Sequence, residues 1–91
     1  MTNWSIQFIP QAEKELKKLD PQVQRKILNY LENQVLKAPH PRTLGKALAG
    51  KLKNIWRYRF KDYRILCRIE DDTITILVLR IAHRKEVYDA H

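Results

Sequence analysis

The stretch "NIWRYRFKDYRIL", residues 54–66, constrains the fold of this chain more than any other. Trp56, Tyr58 and Phe60 alternate with Arg57, Arg59 and Lys61, the period of two that sends successive side chains to opposite faces of a strand. One face is therefore aromatic and the other cationic. A tight turn at Lys61-Asp62 would set Phe60 against Tyr63, Tyr58 against Ile65 and Trp56 against Cys67, making every pair on the first face apolar. Lys-Asp lacks the glycine that a two-residue turn favours, which leaves room for a loop one residue longer. On the second face the same register sets Arg59 against Arg64, with Arg57 two residues along and Lys61 at the turn. Like charges directly opposite one another destabilise a strand pair. Arg64 points away from the aromatic face in this register, so its removal is expected to leave the fold intact.

The rest of the chain supplies elements for this hairpin to pack with. "NWSIQF" alternates Trp4, Ile6 and Phe8 with polar neighbours and reads as a first strand, stopped by Pro10. Pro10 also suits the first turn of a helix with Ala12, Leu16 and Leu19 on one face and Glu13, Lys14, Lys17 and Lys18 outward. A second helix opens at "DPQ", with Asp20 as cap and Pro21 at the first helical position. Its apolar stripe of Val23, Ile27, Tyr30, Leu31 and Val35 runs to an end near Lys37. The two helices form a hairpin. Residues 39–50, "PHPRTLGKALAG", read as a loop with a short turn of helix at "KALA". After the hairpin, "EDDTITILVLR" predicts a turn at Asp71-Asp72 and a strand from Ile74 to Leu79 that is apolar on both faces and hence central. The expected fold is α+β: an N-terminal strand, a two-helix hairpin, then a three-stranded antiparallel meander. The helices should cover the aromatic face and leave a concave basic face opposite.

Length and charge limit what such a fold can do. A chain of 91 residues is one domain, 1–91, with one core and no cleft between domains, so its site should be an open surface. Eighteen Lys and Arg against ten Asp and Glu give a formal net charge of +8, which favours polyanionic partners such as nucleic acid or an acidic protein. From Asn33 to Lys61 there is no acidic residue, while Lys37, Arg42, Lys46, Lys51, Lys53, Arg57, Arg59 and Lys61 are basic. A solvated sheet face is the ordinary reading of charges on a strand. The facing Arg59 and Arg64 beside so long an acid-free run favour an external polyanion, whose phosphates would remove the repulsion and accept the guanidinium forks. The single cysteine, Cys67, has no disulfide partner, and "MTNWSIQFIP" lacks a basic start followed by an apolar run. With no apolar run of transmembrane length, the expectation is a cytoplasmic protein with no membrane partner.

The tail "LRIAHRKEVYDAH" adds His83, Arg84, Lys85 and Tyr88 after the central strand. Singly, His83 reads as a loop histidine and Tyr88 as a staple on the core. Together they bring an imidazole, a guanidinium and a phenol to the end of the strand that pairs with the cationic hairpin, a set able to bind a phosphate, stack on a base and move a proton. Other chemistries lack their residues. The histidines have no metal-ligand spacing with Cys67, and no Gly-rich phosphate loop, Ser-His-Asp arrangement or helix-turn-helix with a basic second helix is visible.

This order of elements, with "GKLKNIWRYRF", "DYRIL" and "ILVLRIAHRKEVY", resembles the RelE toxins of the RelE/ParE superfamily of toxin–antitoxin modules over nearly the whole chain. The pattern W-R-x-R, D-Y-R, H-R-x-x-V-Y is more specific for the superfamily than for the activity within it. The resemblance implies a RelE-like microbial ribonuclease fold and a metal-independent endoribonuclease, an mRNA interferase without cofactor. Such a toxin enters the ribosomal A site and uses a 2′-hydroxyl to attack the adjacent phosphate of the messenger RNA, inhibiting translation. It also implies an antitoxin encoded alongside and a hetero-oligomeric toxin–antitoxin complex. ParE-type relatives keep the fold and instead inhibit DNA gyrase by binding.

Carried over position by position, the resemblance assigns catalytic roles to Arg57 and Arg59 before the hairpin turn, Arg64 after it, Arg84 after the last strand with His83 adjacent, and the near-terminal Tyr88. Lys46, Lys51, Lys53, Lys61 and Lys85 are the accompanying RNA-binding residues. Several relatives carry lysines where this chain has Arg57 and Arg59. Arginine stays protonated, so the base role falls to His83 or Tyr88, or the site relies on positioning and electrostatics. Only three residues follow Tyr88, too few for the C-terminal helix of some relatives.

Overall fold

The computed structural model describes residues 3–48 and 54–83. Strand β1 (Ser5–Phe8) ends where Pro10, with no N–H for a ladder and a φ preset for helix, opens α1 (Pro10–Lys17). Ala12 and Leu16 are its buried positions, one turn apart, and Glu13, Lys14 and Lys17 face solvent. Helix α2 (Pro21–Tyr30) opens as its sequence predicts: Asp20 Oδ1 accepts the N–H of Gln22 at 2.9 Å and Pro21 takes the first helical position. Gln24 Nε2 donates to the carbonyls of Lys17 (3.3 Å) and Leu19 (2.7 Å), tying the end of α1 to α2. The expected continuation to Lys37 does not stay α-helical. Leu31–Val35 forms a π turn, with the Leu36 N–H bonded to the Leu31 carbonyl five residues back at 2.9 Å. Leu31 and Val35 remain buried, so the apolar stripe persists while the hydrogen-bond period widens.

The helical turn expected at "KALA" is replaced by a two-residue strand, β2 (Lys46–Ala47). Four residues cannot offset the cost of nucleating a helix. The edge of β3 (Ile55–Phe60) supplies ladder partners instead, with Lys46 opposite Arg57 and Ala47 opposite Trp56. β3 pairs with β4 (Tyr63–Glu70) in the register read from the sequence: Phe60 opposite Tyr63, Arg59 opposite Arg64, Tyr58 opposite Ile65 and Trp56 opposite Cys67. The turn is two residues long because Lys61 adopts φ 53°, doing what glycine would do. The next turn is longer than the expected Asp71-Asp72. It takes in residues 71–74, with Ile74 exposed at φ 43°, and β5 (Thr75–His83) starts one residue late and runs past Leu79 to His83.

The five strands lie in the order β1-β5-β4-β3-β2, with β1 parallel to β5 and the remaining pairs antiparallel. β5 therefore has a neighbour on each side, as its two-sided apolar sequence predicts. Midway it bulges: Cys67 pairs with Val78 but Leu66 pairs with Arg80, so Leu79 is the extra residue. The bulge resets the alternation. Ile76 and Val78 before it and Ile81 after it all reach the helix-covered face, where strict alternation would have put Arg80. The core lies between that face and the helices, built from Ala12, Leu16, Ile27, Leu31, Tyr58, Ile65, Cys67, Ile76 and Val78 among others.

Candidate nucleic-acid interface

The register that buries the aromatics sends every second residue of the sheet to the face opposite the helices. Lys46 on β2, Arg57 and Arg59 on β3, and Arg64 and Arg68 on β4 share it, in adjacent rows. Lys46 lies directly opposite Arg57 and Arg59 directly opposite Arg64. Arg59 and Lys46 are exposed, and neither forms an ion pair among the described residues. Arg57 is half-buried. Arg68, whose period-two spacing from Arg64 marks it in the sequence, extends the cationic row beyond the residues expected there.

Arg64 differs from its neighbours. It is only 3% exposed, and its Nη1 lies 3.4 Å from the Tyr63 carbonyl and 3.5 Å from the Lys61 carbonyl at the hairpin turn. Arg64 lies off the aromatic face, as the register predicts, between Arg59 of β3 and Ala82 of β5, but it is buried there, so its removal carries a packing cost that the sequence did not show.

His83 is not in a loop, and the register sets it on the face opposite Arg57 and Arg59. It is the last residue of β5, paired with Tyr63, and the two rings meet edge to face at 5.6 Å on the side of the sheet that faces α1. The sheet stands between its imidazole and Arg59. Lys61 sits at the turn with Nζ 5.7 Å from the Phe60 ring centroid, nearer the aromatic face than the cationic one. Lys51, Lys53, Arg84, Lys85 and Tyr88 lie outside the described residues.

Two aromatic donors and one ion pair fix the loop that leads into β2. Tyr58 Oη donates to the Pro41 carbonyl at 2.5 Å, Trp56 Nε1 donates to the Leu44 carbonyl at 2.6 Å, and Arg42 makes a two-pronged bond to Asp71 at 3.0 and 2.9 Å. Burial, with the nearby Cys67 adding to it, pushes the Tyr58 phenol far above its ordinary range, so it is a donor at any physiological pH. Gly45, at φ 78°, lets the chain pass close: a Cβ there would sit 2.5 Å from the Arg57 carbonyl oxygen and 2.7 Å from Trp56 Nε1. The loop joins β3 at Arg57, opposite Lys46, and a concavity of about 410 Å³ lies at this end of β2. It is lined by Lys46, Arg57 and Arg59 together with Leu44, Gly45, Tyr30 and Gln34. Sequence reading missed this hollow. The only local signal was a glycine just before Lys46 in a loop, and part of its lining comes from a helix some ten to fifteen residues upstream in the chain.

A second cluster missed in the sequence is Glu15 on α1. β1 stops short of the end of β5, and Glu15 takes over its edge, accepting the Ile81 N–H and the Arg80 Nε–H, each at 2.8 Å. No helix among the described residues is long and apolar enough to cross a membrane.

Comparison with known proteins agrees with this architecture. Residues 6–88 match the family model described as the ParE toxin of the type II toxin–antitoxin system parDE. A curated relative, Toxin RelG of Mycobacterium tuberculosis, is 28% identical over 85 residues, covering 93% of this chain and 95% of its own. The toxin–antitoxin complex RelBE2 of M. tuberculosis contains a chain of TM-score 0.80 and 28% identity, covering 92% of this chain and 94% of that one. The isolated RelE toxin of E. coli, at 24% identity, shares the fold with TM-score 0.72 over 96% of this chain and 93% of its own. The match across nearly all of the strand, helix pair and sheet identifies the chain as a member of the ParE toxin family within the RelE/ParE superfamily, a toxin of a type II toxin–antitoxin system.

Proposed function

We propose that this toxin is a ribosome-dependent endoribonuclease that cleaves messenger RNA in the A site. The observation that carries the reading is the cationic face of the sheet, where Lys46, Arg57 and Arg59 stand in adjacent rows and the exposed Arg59 and Lys46 have no ion-pair partner among the described residues. In the reaction a 2′-oxygen attacks the adjacent phosphorus, the bond from phosphorus to the 5′-oxygen breaks, and a 2′,3′-cyclic phosphate is left. The 2′-hydroxyl proton goes to a base and the leaving 5′-oxygen takes one from an acid. Arg57 and Arg59 offset the charge that builds on the phosphorane oxygens, and being permanently protonated they do no more than that. Because His83 lies on the α1 side of the sheet, beside Tyr63, this reading does not give it the base role. Tyr88 is the residue proposed for proton transfer, with Arg84 as a further phosphate ligand; both lie outside the described residues. Lys51, Lys53, Lys61 and Lys85 add to the field that attracts RNA. The partners are an antitoxin encoded beside the toxin, as in the RelBE2 complex, and the ribosome with its message. The setting is the cytoplasm, and the step needs no metal or cofactor.

Primer extension on a translated message, with and without ribosomes, tests the reading. Cleavage is expected only with ribosomes, and Arg59→Ala should lower it by about 10²-fold or more. A second reading, inhibition of DNA gyrase by binding without chemistry, is favoured by the ParE description of the matching family model. Inhibition of gyrase supercoiling by the same preparation, with an intact message, would establish it in place of the nuclease.

A further inference from the structure

We propose that the concavity at the end of β2 is a nucleotide pocket, in which Lys46, Arg57 and Arg59 hold a phosphate while Gln34 reads the edge of the base. The inference rests on the reading of the cationic face as an RNA-binding surface and adds to it the place where a single base is held. The hollow, at about 410 Å³, falls within the range of roughly 300–1,000 Å³ of small-ligand sites, and its chemistry is mixed. Lys46, Arg57 and Arg59 bring cations to its lining, Leu44 and Tyr30 an apolar and an aromatic side chain, and Gln34 a carboxamide. That mixture matches a nucleotide, with its anionic phosphate, its flat ring to lie against apolar and aromatic side chains, and its edge of paired donors and acceptors. RNA is read in this way wherever its bases are unstacked.

Two features of the backbone build the pocket. Gln34 lies within the π turn at Leu31–Val35, and π turns recur at functional sites. Gly45 presents backbone where a side chain could not fit, and the Trp56 indole holds the Leu44 carbonyl at 2.6 Å, so this part of the lining is fixed before any ligand arrives. A carboxamide offers one acceptor and two donors side by side, enough to discriminate between bases through a pair of hydrogen bonds. An acidic peptide would satisfy the cations but would leave Leu44, Tyr30 and Gln34 without a role.

The test is calorimetric titration of the full-length chain with the four ribonucleoside 5′-monophosphates and with ribose 5-phosphate, which lacks the base. At least one nucleotide should bind about tenfold tighter than ribose 5-phosphate or better. Gln34→Ala should level the preference among bases, and Arg59→Ala should weaken every ligand. Circular dichroism confirms that each variant is folded. Ribose 5-phosphate binding as tightly as the nucleotides, no binding of any ligand, or a base preference that survives Gln34→Ala would each overturn the pocket. Mapping cleavage sites on a translated message separates this inference from the reading beneath it. Unchanged cleavage sites in an active Gln34→Ala variant would remove the pocket and leave the nuclease standing. Nucleotide binding with a Gln34-dependent preference, in a chain that cuts no message, would keep the pocket and remove the nuclease.

Discussion

Arg59 and Arg64 face each other across two strands, yet their surroundings give them different work. Arg59 is exposed, so its truncation removes a charge and little packing. Arg64 is 3% exposed, and truncating it would remove a buried aliphatic stem together with the bonds of its guanidinium. Relief of the repulsion between them is worth only about 0.2–1 kcal/mol. Loss of a buried side chain of this size costs about 1–3 kcal/mol, so packing wins. Arg64→Ala should accordingly lower the stability read from urea unfolding by an amount in that range, while Arg59→Ala leaves it within about 0.5 kcal/mol of the parent. Equal midpoints for parent and Arg64→Ala would show that the burial of Arg64 contributes nothing. The alternation in "WRYRF" and "YRIL" made the facing of these two arginines legible. Their difference in burial was not, because it depends on what packs around Arg64 in three dimensions, which no local pattern carries.

Among the elements, β5 shows best why a correct register can still mislead. "TILVLRIAH" reads as apolar on both sides, and its central position followed from that. Nothing in it announces that Leu79 would be squeezed out as a bulge, since the reset is set by which partner residues β4 offers. The same limit applies to β2, which exists only because β3 presents an edge, and to the π turn, whose apolar stripe is indistinguishable from that of an α-helix. The caps and turns were legible because they are local: Asp20 and Pro21 at α2, and Lys61-Asp62 at the hairpin. Glu15 was not, since the edge it covers lies more than sixty residues away. Its two bonds can be told apart by mutation. Glu15→Gln keeps an acceptor for the Ile81 N–H and loses the partly exposed ion pair to Arg80 with the exposed Gln11 bond on the same oxygen, a loss of up to about 1 kcal/mol. Glu15→Ala leaves that N–H without its partner and should cost about 1–3 kcal/mol, read from urea unfolding. Equal losses in the two variants would mean that the charge, not the edge bond, holds α1 to β5.

At the scale of the whole molecule, charge and clasp act together. A net charge of +8 attracts any polyanion, so the part of RNA affinity that comes from individual phosphates must be isolated by varying salt. The slope of log affinity against log salt should fall by about 0.7 for each single-stranded phosphate that is no longer neutralised, and Arg59→Ala should release about one. An unchanged slope would place Arg59 away from the phosphates. The loop that shapes the binding face is tied to the far turn of the sheet by Arg42 and Asp71, two residues 29 apart in sequence, which answers where one cation of the acid-free run finds its partner. The hydrogen bond from the Arg42 guanidinium holds the Asp71 carboxyl below its usual range. A depressed carboxyl contributes stability above its unfolded value of about 3.9, and loses it as the pH falls through the lower folded value. Asp71 is exposed at the turn, so the contribution is small and screened by salt. Asp71→Asn should therefore melt slightly below the parent at pH 7 and low ionic strength. The gap should narrow as the pH drops below about 4 and close in strong acid or at about 1 M salt, where the clasp no longer acts in either protein. A gap that persisted in acid would mean that Asp71 holds the turn through its own backbone and not through Arg42, and the loop of the binding face would then rest on the Tyr58 and Trp56 bonds alone.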